Sequence, residues 1–317
     1  MFTSPRALVA SLALAASAAL AASPAASAQS ETGALDTGSL GSAVVVEATG
    51  SFAPLGSLGS SLPAPGPRTY DSYVALGDSY AALGDQTQLA PGVEDCDNSA
   101  TNYPNQLDAN PRVGELTDAS CGGAQIPQVL ESQVKALDAG TDLVTLSIGG
   151  NDVGFSTMVG CITRQGPFAD LPATTTCDDA IGDQVDGDIA AVYGDGGAIK
   201  AVYAAIAERS PDATVVATRY LPLMPTEGSC AFIEQLHPAD VAWARDVTTR
   251  INAAVDAAAE RHGHVSVLPT DTVDRSACAP ADQRWTDFQG GAPTNAAPMH
   301  PTTLGQTAMA EAIGAAI

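Results

Sequence analysis

Tyr73-Val74-Ala75-Leu76-Gly77-Asp78-Ser79-Tyr80 is the stretch on which the fold turns. Four mostly apolar residues run into Gly-Asp-Ser, and a short apolar run bounded by a turn signal reads as a buried strand. With the strand ending at Leu76, Ser79 falls on the loop just past its carboxyl end. In open α/β sheets that is where ligands bind and chemistry happens. A serine there is a candidate nucleophile. Gly, Asp and Ser are also ordinary turn residues, and the tripeptide alone favours a plain turn.

Further strand signals lie at Leu143–Ile148, Thr214–Thr218 and Val265–Leu268, with a weaker one at Gly114–Ser120. Helical periodicity lies between and after them: Gln125–Leu137, Gly196–Glu208, Pro238–Arg261 and residues 302–317, the last capped by Thr302 or Thr303. Strands alternating with helices predict a parallel sheet covered on both faces. Residues 155–195 show little periodicity and read as an excursion over the site end of the sheet. Residues 69–317 make one domain's length, with no internal repeat.

Two segments precede that domain. Residues 1–28 have the layout of a secretory signal: Arg6, an apolar run from Leu8 to Ala22, and a small-residue cleavage site at Ala26-Ser27-Ala28. The apolar run is short for a membrane anchor, so an exported protein without stable membrane insertion is expected. Residues 29–68 are rich in Gly, Ser, Ala and Pro and read as a leader or linker, with one strand-like piece at Ala43–Ala48.

The chain of 317 residues has 13 Lys and Arg against 36 Asp and Glu, a net charge of -23. Phosphate binding needs clustered cations, so nucleic acid is not an expected partner. The six cysteines are Cys96, Cys121, Cys161, Cys177, Cys230 and Cys278. In an exported chain an even count reads as three disulfides, whose pairing spacing alone does not choose. A zinc site is the competing reading, but there is no C-x-x-C pair, and the four histidines show no ligand spacing to a cysteine.

Three more motifs follow strand ends. Ser120-Cys121-Gly122-Gly123-Ala124-Gln125 opens a helix, where backbone N–H groups favour an anion and glycine permits close approach. Ser147-Ile148-Gly149-Gly150-Asn151-Asp152 offers a side-chain amide that can donate to a developing oxyanion. Pro298-Met299-His300-Pro301 brings a histidine just before the last helix, the residue type expected as general base. Taken singly, the Gly-Gly pair is usually just a turn, the Asn loop serves as well as a cap or turn, and a lone histidine is more often structural.

Together, in this order, the motifs resemble the SGNH hydrolases, also called GDSL lipases and esterases. The resemblance covers about 71–317. Ser-Cys-Gly-Gly-Ala-Gln, the six cysteines and Met-His-Pro look like the secreted actinobacterial lipase and esterase branch. The resemblance implies a three-layer α/β/α flavodoxin-like sandwich with about five parallel strands in order 2-1-3-4-5. It implies Ser79 as nucleophile and His300 as base. The N–H of Ser79, the N–H of Gly123 and the amide of Asn151 would form the oxyanion hole, with Gly122 one residue away as the alternative glycine. Asp78 would brace the loop. The implied disulfides are Cys96–Cys121, Cys161–Cys177 and Cys230–Cys278. No metal or organic cofactor is implied, and such a domain can work as a monomer.

One position departs from the family pattern, which has an Asp three residues before the catalytic His. Here it is Ala297. Either Asp287 or another acid reaches the imidazole through the fold, or a backbone carbonyl orients it, as in Ser–His dyads of this branch. The reading adopted is a dyad with the Ala297 carbonyl as acceptor. The expected function is a secreted serine esterase or lipase acting on acylglycerol or other lipid esters. A carbohydrate acetyl esterase, a phospholipase and a non-catalytic envelope-binding protein on the same fold are the alternatives. The acyl pocket is expected from parts of 80–95, 153–170 and 220–235.

Overall fold

Five parallel strands form the central sheet: β1 (Tyr70–Gly77), β2 (Val113–Asp118), β3 (Leu143–Ser147), β4 (Thr214–Thr218) and β5 (Val265–Val267). Their order is β2-β1-β3-β4-β5. In this computed structural model residues 67–91 and 96–317 are described. The predicted signal at 1–28, and nearly all of the leader at 29–68 with its Ala43–Ala48 segment, lie outside those residues. The described residues fall within one compact unit.

The middle strands are apolar on both sides because both faces are covered, the rule for parallel sheets. Val74 and Leu76 of β1 join one core cluster with Val144, Leu146, Val215 and Ala217. Tyr73 and Ala75, pointing the other way, join Leu143 and Val216 in a second. The first face is closed by α3 (Ile126–Glu131), α4 (Phe155–Ile162), α5 (Asp183–Tyr193), α6 (Ile199–Arg209) and α7 (Pro238–Arg261). The second is closed by α1 (Ser79–Ala82), α2 (Tyr103–Asp108) and α8 (Thr303–Ala316). The result is a three-layer α/β/α sandwich. Each fully buried Leu, Ile or Val contributes about 1.5–3 kcal/mol of transfer free energy.

α7 has the bounds its periodicity predicts, and α8 is capped by Thr302, whose hydroxyl accepts from the Gly305 N–H. Two segments differ. The predicted helix Gln125–Leu137 breaks at Ser132 (φ -121°, ψ -55°), after which Gln133–Ala136 forms a short 3-10 turn. Gln133 lies buried, with its amide on the backbone of Gly77, a side-chain destination that propensity does not register. Residues 155–195 are not an open excursion. They hold α4 and α5, anchored in the core by Met158, Cys161 and Ile162 and by Val185 and Val192. The core residues Val185, Ile189, Val192 and Tyr193 of α5 do keep a helical spacing, but Asp186, Gly187 and Asp188 among them are poor helix formers, and α4 is only 8 residues long.

A small antiparallel pair, β6 (Thr286–Asp287) with β7 (His300–Pro301), lies outside the main sheet and delivers His300. Three disulfides are formed, Cys96–Cys121, Cys161–Cys177 and Cys230–Cys278. The second joins the last turn of α4 to the segment before α5. It closes a loop with a sequence separation of 16, and a crosslink of that span stabilises by about 3 kcal/mol, chiefly by restricting the unfolded chain. The double variant Cys161→Ser/Cys177→Ser should therefore lose about 2–4 kcal/mol of unfolding free energy in urea melts. An unchanged midpoint would show that this crosslink does not limit the unfolded ensemble.

Candidate active site

Three strand ends meet at Ser79. β1 stops at Gly77, whose φ of +149° and close approach to the Ser147 carbonyl, 2.4 Å from where a Cβ would stand, leave room only for glycine. Asp78 is the N-cap of α1: its Oδ1 accepts from the Tyr80 N–H at 2.9 Å. Ser79 is then the first residue of α1, so its N–H has no partner within the helix. Backbone bonds sew the neighbouring loops to this turn, Asp78 N–H to Ser147 O (2.7 Å) and Cys121 N–H to Gly77 O (3.0 Å).

Asp78 is buried, at 1 % exposure. Its Oδ1 also accepts from Ser147 Oγ (3.3 Å), and its Oδ2 accepts from the Tyr220 hydroxyl at 2.7 Å. Burial pushes its carboxyl up to about 7, with these donors pulling the other way. The Tyr220 hydroxyl in turn accepts from the Gly150 N–H at 2.7 Å. Ser147 opens the third motif, whereas Tyr220 belongs to no motif in the sequence.

In the second loop, Gly122 donates to Cys96 O (3.2 Å) and Ala124 to Cys121 O (3.1 Å). Gly123, with φ +74°, has no acceptor for its N–H among the described residues. That distinguishes it from Gly122. In the third loop Asn151 Nδ2 donates to Ala124 O at 2.9 Å. This contact fixes which end of the amide is nitrogen and leaves one of its two N–H groups free of protein partners among the described residues. The N-terminus of α3 is held to this loop by Asp152, which accepts from the Ile126 N–H (3.1 Å).

His300 Nε2 lies 2.7 Å from Ser79 Oγ, and Nδ1 lies 2.6 Å from Pro298 O. A carbonyl only accepts, so Nδ1 carries the proton and the neutral ring presents its Nε2 lone pair to the serine hydroxyl. Burial holds the imidazole below its ordinary pKa, partly offset by the bond to Pro298.

The orienting carbonyl is therefore one residue later than the expected Ala297. Ala297 O is taken by the backbone N–H of His300 (3.2 Å). Proline at the second position and a positive φ at the third (Met299, +63°) form the type II pattern. This leaves the Pro298 carbonyl for the ring.

Asp287 also stays away from the imidazole. Its carboxylate accepts from the Gln289 and Gly290 N–H groups (both 3.1 Å) and from Thr294 Oγ1 (2.6 Å), and pairs with Arg284 at 3.3 Å. It organises the loop that returns to His300.

A cleft opens beside Ser79, enclosing about 100 Å³. Its walls are largely apolar: Phe155, Met158 and Ile162 of α4 face Trp243, Val247 and Ile251 of α7. Of the described residues of 80–95 only Tyr80 lines the cleft, and the α7 wall lies outside the three expected segments. The amphipathic period of α7 signals a buried face but not that part of it borders a cavity. An ion pair between half-buried Arg164 and buried Asp240, at 2.8 Å, fastens the end of the α4 wall to the start of α7. Among the described residues no group of three or more His, Cys, Asp or Glu is arranged to hold a metal, and no helix is long and apolar enough to cross a membrane.

The family model described as GDSL-like Lipase/Acylhydrolase matches residues 75–308. Lipase 2 of Streptomyces coelicolor is 34 % identical over 264 residues, covering 78 % of this chain and 86 % of that protein. The structure of an extracellular lipase from Streptomyces rimosus superposes with a TM-score of 0.61 at 26 % identity, over 78 % of this chain and 100 % of that one. A phospholipase A1 structure from Streptomyces albidoflavus superposes with the same TM-score of 0.61 at 24 % identity, over 78 % and 99 %. It is evidence for the fold alone.

The partners of Asp287 lead to a test of the imidazole's support. Asp287→Asn should keep kcat on a soluble ester within about tenfold while lowering the thermal midpoint, since it weakens a buried hydrogen-bond network. A loss of a thousandfold or more in a folded variant would mean that the carboxylate serves the base after all.

Proposed function

The chain belongs to the GDSL-like lipase/acylhydrolase family and is a carboxylic ester hydrolase, and on that premise we propose that it cleaves lipid esters through an acyl-enzyme on Ser79. The observation that carries this reading is the Ser79–His300 contact of 2.7 Å at the mouth of an apolar cleft. A free serine hydroxyl is a weak nucleophile and needs an adjacent base. In the proposed sequence His300 Nε2 takes the hydroxyl proton as Ser79 Oγ attacks the ester carbonyl. The N–H groups of Ser79 and Gly123 and the free N–H of Asn151 receive the oxyanion. The tetrahedral species collapses, the alcohol leaves with the proton from Nε2, and water repeats the steps on the acyl-serine. Pro298 O keeps the ring in the tautomer that this requires.

The cleft supports a lipid acyl group over acetyl. An acetyl ester has no use for two facing walls of aromatic and branched side chains, whereas each methylene buried there is worth about 0.8 kcal/mol. Export is part of the proposal. It rests on the signal-like residues 1–28 and on three disulfides, which persist in oxidising compartments. So is the division into signal, leader and a catalytic domain over 69–317. All the groups assigned roles come from one chain, consistent with a working monomer.

Two experiments test this. Ser79→Ala should lower kcat on p-nitrophenyl butyrate by about 10⁴ or more; undiminished hydrolysis overturns the nucleophile. In a chain-length series the mature protein should hold kcat/KM beyond eight carbons. Ala244, which lines the α7 wall, provides the companion variant: Ala244→Phe should move the optimum to shorter acyl groups while sparing the acetate ester. Best activity on acetate in the unaltered protein would favour the carbohydrate esterase.

The base also sets a pH dependence. His300 works as base only when neutral, and burial lowers its pKa from 6.5. The acid limb of kcat/KM should therefore fall below pH 6.5, and it should persist in Asp78→Asn, which removes the nearby carboxyl that titrates near 7. A limb at 7 or above in both proteins would point to a different base.

A further inference from the structure

We infer that the Tyr220 hydroxyl is a positioning group for the oxyanion site, acting through the Gly150–Asn151 peptide. The inference rests on the role proposed above for Asn151. Tyr220 follows β4, on the far side of β3 from β1, yet its single O–H links the loops of both other strands. It donates to Asp78 Oδ2 and accepts from the Gly150 N–H, each at 2.7 Å. Gly150 immediately precedes Asn151, so the hydroxyl sets the separation between the turn carrying Ser79 and the residue carrying the amide.

The strut is held rigid along its length. The Asn252 side chain of α7 clasps the Tyr220 backbone at both groups, Oδ1 taking the N–H (2.7 Å) and Nδ2 giving to the carbonyl (2.9 Å). The Tyr220 ring meets the Tyr80 ring edge-on, with centroids 5.1 Å apart. At its tip Gly150 leaves no room for slack, since a Cβ there would come within 2.9 Å of the hydroxyl. Asn151 has little other restraint on its amide, which makes one bond to Ala124 O. Burial and the neighbouring Asp78 push the phenol far above its ordinary pKa, so Tyr220 keeps its own proton. An oxyanion donor is worth roughly 10²–10³ in rate when well placed, and a displacement of about 1 Å can forfeit a factor of about 10².

The test is a double-variant cycle on a soluble p-nitrophenyl ester. Tyr220→Phe should lower kcat at least fivefold, with KM within twofold and the thermal midpoint showing a folded protein. An alkyl boronic acid, which forms a tetrahedral adduct on the serine, should lose affinity in step with kcat. In an Asn151→Ala background the same change should cost less than twofold. A fall in kcat smaller than fivefold, a loss confined to KM, or a cost of twofold or more in the Asn151→Ala background overturns the inference. The last result would place the action on Ser79 through Asp78. If Tyr220→Phe does not fold, Asn252→Ala is carried through the same cycle with the same criteria. Wild-type kcat in Asn151→Ala would remove the oxyanion role of Asn151, and this inference with it. Failure of Tyr220→Phe alone would leave that role intact.

Discussion

A carboxyl group buried without a cation has to be satisfied by hydrogen-bond donors, and Asp78 draws its donors from three strand ends. They are the Tyr80 N–H after β1, Ser147 at the end of β3 and Tyr220 after β4. Each donor is where it is because the sheet puts it there, and each fixes a loop in return. The cap sets the entry of α1 and with it Ser79. Tyr220 sets Gly150, and backbone bonds set the second loop against Gly77. Burial raises this carboxyl from 3.8 to about 7. The folded state then holds the proton more tightly than the unfolded chain, so the group's contribution to stability declines as pH rises from near 4 to near 7. The site thus keeps a group whose charged form is costly, and the donors that reduce this cost are those that align the loops.

The layout of the sheet is legible because β1, β3 and β4 are largely buried on both faces and read as mostly apolar runs. The motif residues Ser79, Gly123, Asn151 and His300 lie at strand ends or beside the last helix, where turn chemistry leaves a mark. What stayed hidden was whatever depends on where a side chain goes once the chain has folded. Gln133, Tyr220 and Asn252 look like ordinary residues of a helix or a loop, yet each spends its hydrogen bonds holding a loop at the site. α4 and α5 leave little mark because α4 is short and the aspartates and glycine of α5 are poor helix formers. The α7 wall of the cleft was missed because a residue facing a cavity and a residue facing the core have the same periodicity.

The absence of an acid at Ala297 acquires a physical sense once the turn is seen. A carboxylate beside the imidazole would hold the ring's tautomer and stabilise its charged form. The Pro298 carbonyl does the first with a bond of 2.6 Å but brings no negative charge. Burial then holds the ring below its ordinary pKa. Such an imidazole is neutral and available over a wide pH range, though it is a weaker base towards Ser79. Once protonated it is a stronger acid towards the departing alcohol. In the proposed mechanism the first half of the step is made harder and the second easier. The harder half is the one in which negative charge moves onto the ester oxygen. Where the base has no carboxylate behind it, more of the stabilisation has to come from the oxyanion donors, and so from the network that holds Asn151 and Ser79 at a fixed separation.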